Sequence, residues 1–537
     1  MVVKTYGSAL QGIEAFPIAV EVSVDQGVGI FLVGLPDNIV KESLMRMETA
    51  IKSIGLRMPR TKVVINLAPA DITKSGAGLD LPLTLGVLAA SGQIKNPERL
   101  KDFIMMGELG LDGAMQPISG ALSIAILARS KKLKGLILPQ ENRHEAALVN
   151  NINVYGMSHL NEVVTFFNSA EALPEASAVT TRENFFNSHL KFDEDFCDVK
   201  GQENMKRVLE IAAAGGHNVL FIGPPGSSKT MLARRMPTIL PPLTLHESLE
   251  TTRLYSIAGQ LKNKQGLMIH RPFRAPHHTI SDTALVGGGT IPRPGEISLA
   301  HNGLLFLDEL PEFKRAALEA LRQPLEERTV TISRAKITLN FPSSFMLIAS
   351  MNPCPCGYYT HEERKCTCSQ QAVQKYLARI SGPLLDRIDL QLKVSPVPFY
   401  ELDCAKTGET SAVICGRVVK AREVQQHRNK TDLGPTINAN LTSKQIREHC
   451  SLEESSKKLL YKSMASLQLS ARAYERILKV CRTIADLAGC ESIKMDHVAE
   501  AVHYRSLDLQ HTHKEPVKVK KQEQLSYEDR MYLKRVL

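Results

Sequence analysis

Gly223-Pro224-Pro225-Gly226-Ser227-Ser228-Lys229-Thr230 follows the apolar run Asn218-Val219-Leu220-Phe221-Ile222 and precedes Met231-Leu232-Ala233, which reads as the opening of a helix. Strand, glycine-rich loop, Lys-Thr and helix is the order of a phosphate-binding P-loop. The backbone N–H groups of such a loop wrap phosphates, and the helix N-terminus adds positive dipole. The lysine reaches the β- and γ-phosphates, and the threonine hydroxyl reaches Mg²⁺. On this reading all eight residues, Gly223 to Thr230, line the nucleotide. One position departs from the usual motif: Ser228 stands where glycine is expected, just before the lysine.

Two further apolar runs supply what hydrolysis needs. Leu304-Leu305-Phe306-Leu307 ends in Asp308-Glu309. Asp308 is suited to hold Mg²⁺, and Glu309 to orient and activate the attacking water. Phe345-Met346-Leu347-Ile348-Ala349-Ser350-Met351 ends at Asn352, whose amide can position that water and sense the γ-phosphate. Apolar strands with polar residues at their carboxyl ends are the pattern of a parallel sheet buried on both faces.

Length and composition bound the alternatives. A chain of 537 residues predicts two to four domains, and 43% hydrophobic residues support real cores. The net charge of +10 permits a polyanionic partner without requiring one, while 5% aromatics and no tryptophan argue against stacking-based readout of nucleic acid. No cationic flank with an apolar segment opens the chain, and no run of 18 apolar residues is present, so a cytoplasmic protein without a membrane span is expected. In that setting the ten cysteines read as thiols or metal ligands.

The predicted organisation is an α+β domain at 1–167, a linker at 168–194, an α/β core at 195–398, a polar connector at 399–441, a helical lid at 442–510 and a basic tail at 511–537. In the first domain, Ile18 to Val24 and Lys62 to Leu67 read as strands, and Asn38 to Ser53 and Leu81 to Ser91 as helices. Within the core, Arg271 to Thr279 with Gly287-Gly288-Gly289 reads as an inserted, glycine-hinged segment. Thr329 to Leu339 reads as a hairpin with Arg334 and Lys336 near its tip, placed either to grip nucleic-acid phosphates or simply to face solvent.

Arg387, in Ser381-Gly382-Pro383-Leu384-Leu385-Asp386-Arg387, is expected at a subunit edge, able to reach a neighbour's γ-phosphate. Arg472, near the start of a helix, is expected to touch nucleotide from the lid. A local salt bridge is the other reading of each. Cys354-Pro355-Cys356 and Cys366-Thr367-Cys368 either close a tetrahedral zinc site bracing the loop after Asn352 or remain reduced thiols; their C-x-C spacing is tighter than usual.

RPFRAPHHT (271–279), GEISLAHNGLLFLDEL (295–310), NPCPCGYY (352–359) and SGPLLDRIDL (381–390) resemble the ComM/YifB family of magnesium chelatase-like AAA+ proteins, over nearly the whole chain. The resemblance implies a Lon protease-like N-terminal domain of the ribosomal S5 type, an AAA+ core with a helical C-terminal lid, ATP and Mg²⁺ as cofactors, and a homo-hexamer. It also implies a DNA-dependent ATPase with single-stranded or branched DNA as partner, and a helicase that migrates branched DNA in homologous recombination and natural transformation alongside recombination proteins. Carried onto this chain, Asp308 and Glu309 form Walker B, Asn352 is sensor 1, Arg387 the finger and Arg472 sensor 2. The position of the Lon nucleophile is Gly76, and Pro117 to Ser123 offers no lysine, so a protease-dead domain is expected. A magnesium chelatase-type, ATP-driven metal-insertion chaperone, an ATP-dependent protease and a non-hydrolysing scaffold remain the competing readings.

Overall fold

The computed structural model describes residues 2–74, 76–169, 192–261, 266–289, 292–334, 337–359, 361, 364–396, 408–431, 434–467 and 469–505. The expected tail at 511–537, most of the linker and part of the connector lie outside the described residues, as do Ser75 and Lys336.

The N-terminal region is a seven-stranded mixed sheet. Its strands are β1 (Val2–Gln11), β2 (Glu14–Asp25), β3 (Gly29–Val33), β4 (Lys62–Ala68), β5 (Phe103–Met105), β6 (Gly135–Pro139) and β7 (Asn153–Met157), in the order β3-β4-β2-β1-β5-β6-β7. β1–β2 and β2–β4 are antiparallel and the other pairs parallel. Helices α1 (Asn38–Ser53), α2 (Asp80–Ala90), α3 (Ala121–Ser130) and α4 (Leu160–Asn168) share one apolar core with the sheet. β2, β4, α1 and α2 fall where the pattern of the sequence predicts them.

The central region opens with α5 (Glu203–Gly215) and holds an all-parallel sheet of β8 (Val219–Ile222), β9 (Phe273–Arg274), β10 (Leu304–Leu307), β13 (Met346–Met351) and β14 (Leu390–Lys393), ordered β9-β10-β13-β8-β14. Both faces are covered. Val219, Phe221, Leu304, Phe306, Met346 and Ile348 enter one core, and the alternating Leu220, Ile222, Leu305, Leu307, Leu347 and Ala349 enter another. Two buried faces explain why these strands read as unbroken apolar runs. Helices α6 (Lys229–Arg235), α7 (Leu245–Ile257), α8 (Arg322–Glu327) and α9 (Gln370–Leu377) belong to this region. The expected hairpin is present as β11 (Thr329–Arg334) paired antiparallel with β12 (Ile337–Pro342), Arg334 opposite Ile337 at its last rung.

Two expectations require correction. The segment read as an insertion contains β9, which pairs in parallel with β10 as the edge strand of the sheet. A two-residue strand is too short to show periodicity in sequence. The region read as a polar connector contains α10 (Ser411–Arg428), an 18-residue helix. Its buried residues Ile414, Val418, Ala421 and Gln425 repeat at steps of four, three and four, a stripe too narrow to stand out among charged neighbours.

The C-terminal helices α11 (Ser443–His449), α12 (Glu454–Leu467), α13 (Ala471–Leu487) and α14 (Met495–His503) follow as predicted. They do not form a separate core: Ile477, Cys481, Ile484 and Val498 join the cluster that holds Val219 and Phe221. The N-terminal region meets α7, where Arg253 donates to the Ile13 carbonyl at 2.8 Å and the Ser256 hydroxyl donates to Glu145.

One buried carboxylate ties sheet to lid. Asp389 accepts from the Asn218 N–H at 2.9 Å and from Arg476 of α13 at 2.5 Å, with His217 Nδ1 at 3.7 Å. Burial opposes its charge, but the Arg476 guanidinium and His217 outweigh that and hold the carboxyl well below the ordinary carboxylate range. Because the folded pKa lies below the unfolded one, the stabilisation is present above about pH 4 and is lost as pH falls below it. Asp389→Asn is therefore expected to cost about 3–5 kcal/mol at neutral pH by orphaning Arg476. It should also flatten the acid limb of the stability curve, measured by urea titration at pH 3–7; an unchanged acid limb would refute the assignment.

Candidate functional site

β8 delivers the glycine-rich loop to the carboxyl end of the sheet, and α6 starts at Lys229. The Gly223 N–H bonds the Met351 carbonyl at 3.1 Å, fastening the loop to the end of β13. Lys229 is buried inside the loop, its ammonium donating to the Gly223 and Pro224 carbonyls at 2.8 Å each and to Ser227 Oγ at 3.1 Å. Burial lowers its pKa, while the Asp308 charge works the other way. Ser227 Oγ in turn donates to the Pro224 carbonyl at 2.8 Å, so the loop is held by its own side chains.

Asp308 is where three elements meet. Thr230 Oγ1 donates to its Oδ2 at 2.7 Å, the Ser350 hydroxyl donates to its Oδ1, and the Glu309 N–H bonds Oδ1 at 3.0 Å. A hydroxyl and a carboxylate side by side at the foot of a phosphate loop are the oxygen donors Mg²⁺ takes from protein. Ser350 was not among the sequence candidates. Its signal was a polar residue inside an otherwise apolar strand, two positions before Asn352.

Glu309 sits in the left-handed region at φ 54° and is half exposed, with Oε2 3.2 Å from His278 Nδ1. His278 packs against His277, ring centroids 4.1 Å apart and planes tilted by 34°, just beyond β9. Sequence reasoning quoted this His-His pair without assigning it a role, because the short β9 that carries it to Glu309 was unrecognised.

Asn352 leaves β13 beside the same loop. Gly357, at φ +85°, packs so closely there that a Cβ would lie 2.7 Å from Pro225 Cδ and 4.0 Å from Asn352 Cγ. Only glycine combines that backbone with that approach. The cysteines sit around this contact. Sγ–Sγ distances are 3.3 Å for Cys354–Cys356, 3.7 Å for Cys354–Cys366 and 3.5 Å for Cys356–Cys366, and all four sulfurs, Cys368 included, lie within 4.8 Å of one another. Thiolates bound tetrahedrally at the zinc–sulfur distance stand about 3.8 Å apart, so the cage fits such an ion despite the C-x-C spacing. The Tyr359 N–H points at Cys354 Sγ from 3.3 Å, and backbone N–H groups of Tyr358 and Thr367 pull the Cys356 thiol down to about 5.

The two arginines are elsewhere. Arg387 is buried, its guanidinium on Glu326 and on the Pro383 carbonyl at 2.7 Å. Its own carbonyl accepts from Asn218 at 3.1 Å, at the start of β8, whereas the P-loop leaves the end of that strand. Arg472 is exposed at the start of α13, and the hydrogen bond from Arg387, with the charges of Arg387 and Arg472, lowers the Glu326 pKa. Neither reaches the P-loop of its own chain, and the local ion pair is what Arg387 makes here. The side chain of Arg334 and all of Lys336 lie outside the described residues.

Ser228 occupies the left-handed region at φ 61° as the residue before α6, and its side chain makes no capping bond. A non-glycine residue there stores about 1–2 kcal/mol, partly offset by glycine's greater chain entropy. Ser228→Gly is expected to raise stability by about 0.5 kcal/mol in a denaturant titration. A loss of more than about 1 kcal/mol would show instead that the serine is needed.

Family profiles described as "Subunit ChlI of Mg-chelatase", "Magnesium chelatase, subunit ChlI" and "Magnesium chelatase, subunit ChlI C-terminal" match residues 20–142, 195–402 and 408–505. Competence protein ComM of Haemophilus influenzae is 45% identical over 94% of this chain and 97% of its own. YifB of Escherichia coli is 43% identical over 93% and 96%. A more distant likeness, 24% over 35% of this chain and 18% of the relative, links it to the DNA replication licensing factor mcm6 of Dictyostelium discoideum. By identity and by coverage of more than nine-tenths of its length, the chain belongs to the ComM/YifB family of magnesium chelatase-like proteins.

Proposed function

We propose that this chain is an ATPase whose hydrolysis drives movement on single-stranded or branched DNA within a homo-hexameric ring, in the manner of a branch-migration helicase. The observation that carries the ATPase reading is the meeting of Thr230, Ser350 and Glu309 on Asp308 beside the buried Lys229. The P-loop backbone binds the triphosphate, Lys229 leaves its loop carbonyls for the β- and γ-phosphates, and Asn352 orients the water. Glu309 takes that water's proton. Thr230 and Asp308 would hold Mg²⁺, which supplies positive charge to the phosphate oxygens when bound. Arg387 and Arg472, remote from their own P-loop, serve a neighbour's site once Arg387 leaves Glu326.

The DNA reading rests on the names of the relatives, a competence protein and a replication licensing factor, and on the hairpin whose last rung holds Arg334. A magnesium chelatase-type chaperone is the second reading, favoured by the descriptions of the three profiles. Within the division at 1–167, 195–398 and 442–510, the first domain is a Lon-like fold without protease chemistry. Lys74 there is fully buried with its ammonium on the Pro69 carbonyl, and Gly76 stands at the nucleophile position.

Among the described residues no helix is long and apolar enough to cross a membrane. We assign zinc to the cysteine cage, bracing Gly357 against Pro225.

ATP turnover is expected to rise at least several-fold with four-way-junction or single-stranded DNA and to lose that stimulation with added salt, as phosphate contacts release counterions. A rate indifferent to every DNA would refute the motor and leave the chaperone. Glu309→Gln should retain ATP binding and lower turnover by about 10²–10⁴-fold; persisting turnover would remove Glu309 from its role. Elemental analysis should find one zinc per chain, with Cys356→Ser losing both metal and thermal stability. Four freely titrating thiols in metal-free, fully active protein would exclude it.

A further inference from the structure

A second cluster of cations lies at the opposite end of the central sheet from the P-loop. Arg271, Arg328 and Arg422 line one cavity of about 80 Å³, walled by Gly303 and Met346 at the amino ends of β10 and β13. The three come from separate elements. Arg271 precedes β9, Arg328 joins α8 to the hairpin strand β11, and Arg422 projects from α10.

Their charges are unevenly matched. Arg271 makes a two-point ion pair with Glu247, at 3.2 and 3.1 Å, and also bonds the Pro241 and Asn302 carbonyls. Among the described residues, Arg422 bonds the Ala213 carbonyl alone, through Nε at 3.1 Å and Nη2 at 2.6 Å. Arg328 bonds the Phe345 carbonyl and Asn440 Oδ1, both at 2.8 Å. Among the described residues neither Arg328 nor Arg422 has a carboxylate in ion-pair range. The nearby Asp389 is taken by Arg476. Three guanidiniums therefore face one carboxylate, leaving two positive charges in a half-buried cleft. Burial, with Arg271 beside it, lowers the Arg422 pKa to about 9, so it remains cationic at neutral pH. Burial also lowers Arg328.

Two neighbouring half-buried cations without carboxylate partners repel each other and attract a counterion. Guanidinium forks match the geometry of tetrahedral oxyanions. At about 80 Å³ the cavity has room for one such ion. We propose that Arg328 and Arg422, with Arg271, form a binding site for a single tetrahedral oxyanion, inorganic phosphate being the fitting species. The bound ion would join the base of the hairpin to α10 across the core, so the released product of hydrolysis would stiffen the junction between core and C-terminal helices.

The test is titration of the full-length protein with inorganic phosphate against sodium chloride at matched ionic strength. At phosphate on the order of 10 mM, Tm should rise by about 2–4 °C. The same rise should persist in Lys229→Ala, which removes phosphate binding at the P-loop. It should shrink to the general salting-out effect in Arg422→Gln and Arg328→Gln. Without phosphate, Arg422→Gln should be at least as stable as the parent, since it removes an uncompensated charge; a merely structural arginine would lower stability with and without phosphate alike. Equal phosphate shifts in parent and both arginine variants overturn the proposal, as does loss of the shift in Lys229→Ala. Should the arginine variants not fold, ³¹P line broadening of phosphate by the Lys229→Ala protein decides, and its absence refutes the site.

Discussion

A parallel sheet covered on both faces favours polar side chains at the ends of its strands. That constraint organises the whole central region. Alternate residues of β8, β10 and β13 enter opposite cores, and the chemistry begins where each strand stops: the P-loop after Ile222, Asp308 and Glu309 after Leu307, Asn352 after Met351. Asp308 then acts as the knot. It takes hydrogen bonds from the P-loop helix through Thr230, from β13 through Ser350 and from the following peptide. Moving any one of the three strands by a residue would turn its side chains into the wrong core and untie this knot.

The opposite ends of the same strands carry a different load. Asn218 bonds the Leu347 N–H through Oδ1 at 2.9 Å and the Arg387 carbonyl through Nδ2 at 3.1 Å, while its backbone N–H meets Asp389. Through Asp389 and Arg476 this network continues into α13, so the C-terminal helices are an extension of the sheet's own core rather than an appended module. The arginine cavity lies at this end too, between β10, β13 and α10. Chemistry at one end and coupling at the other are linked through rigid strands of four to six residues.

Much of the central region was legible in sequence because its signals are local. The P-loop, the Asp-Glu pair, Asn352 and the cysteines lie on short contiguous stretches, and buried parallel strands announce themselves as apolar runs. The N-terminal strands and helices likewise follow their alternation and periodicity. β9 and α10 escaped, one for being two residues long and the other for a narrow apolar stripe among charged neighbours. His278 and Ser350 escaped with them, since each matters through a partner distant in sequence, Glu309 and Asp308 respectively.

From the chain alone came the kind of chemistry: a phosphate loop, carboxylates to follow it, and thiols in pairs, all set by residue identity and spacing. Only the tertiary structure decided which groups meet. It closed the four sulfurs into a cage of metal size despite an unusual spacing, and put His278 against Glu309. It locked Arg387 to Glu326 away from its own P-loop, and it gathered Arg271, Arg328 and Arg422 around one cavity. The physical reason is that backbone preference and hydrophobic pattern act over a few residues. Charge compensation and cavity shape depend on packing between segments tens to more than a hundred residues apart, which no local pattern encodes.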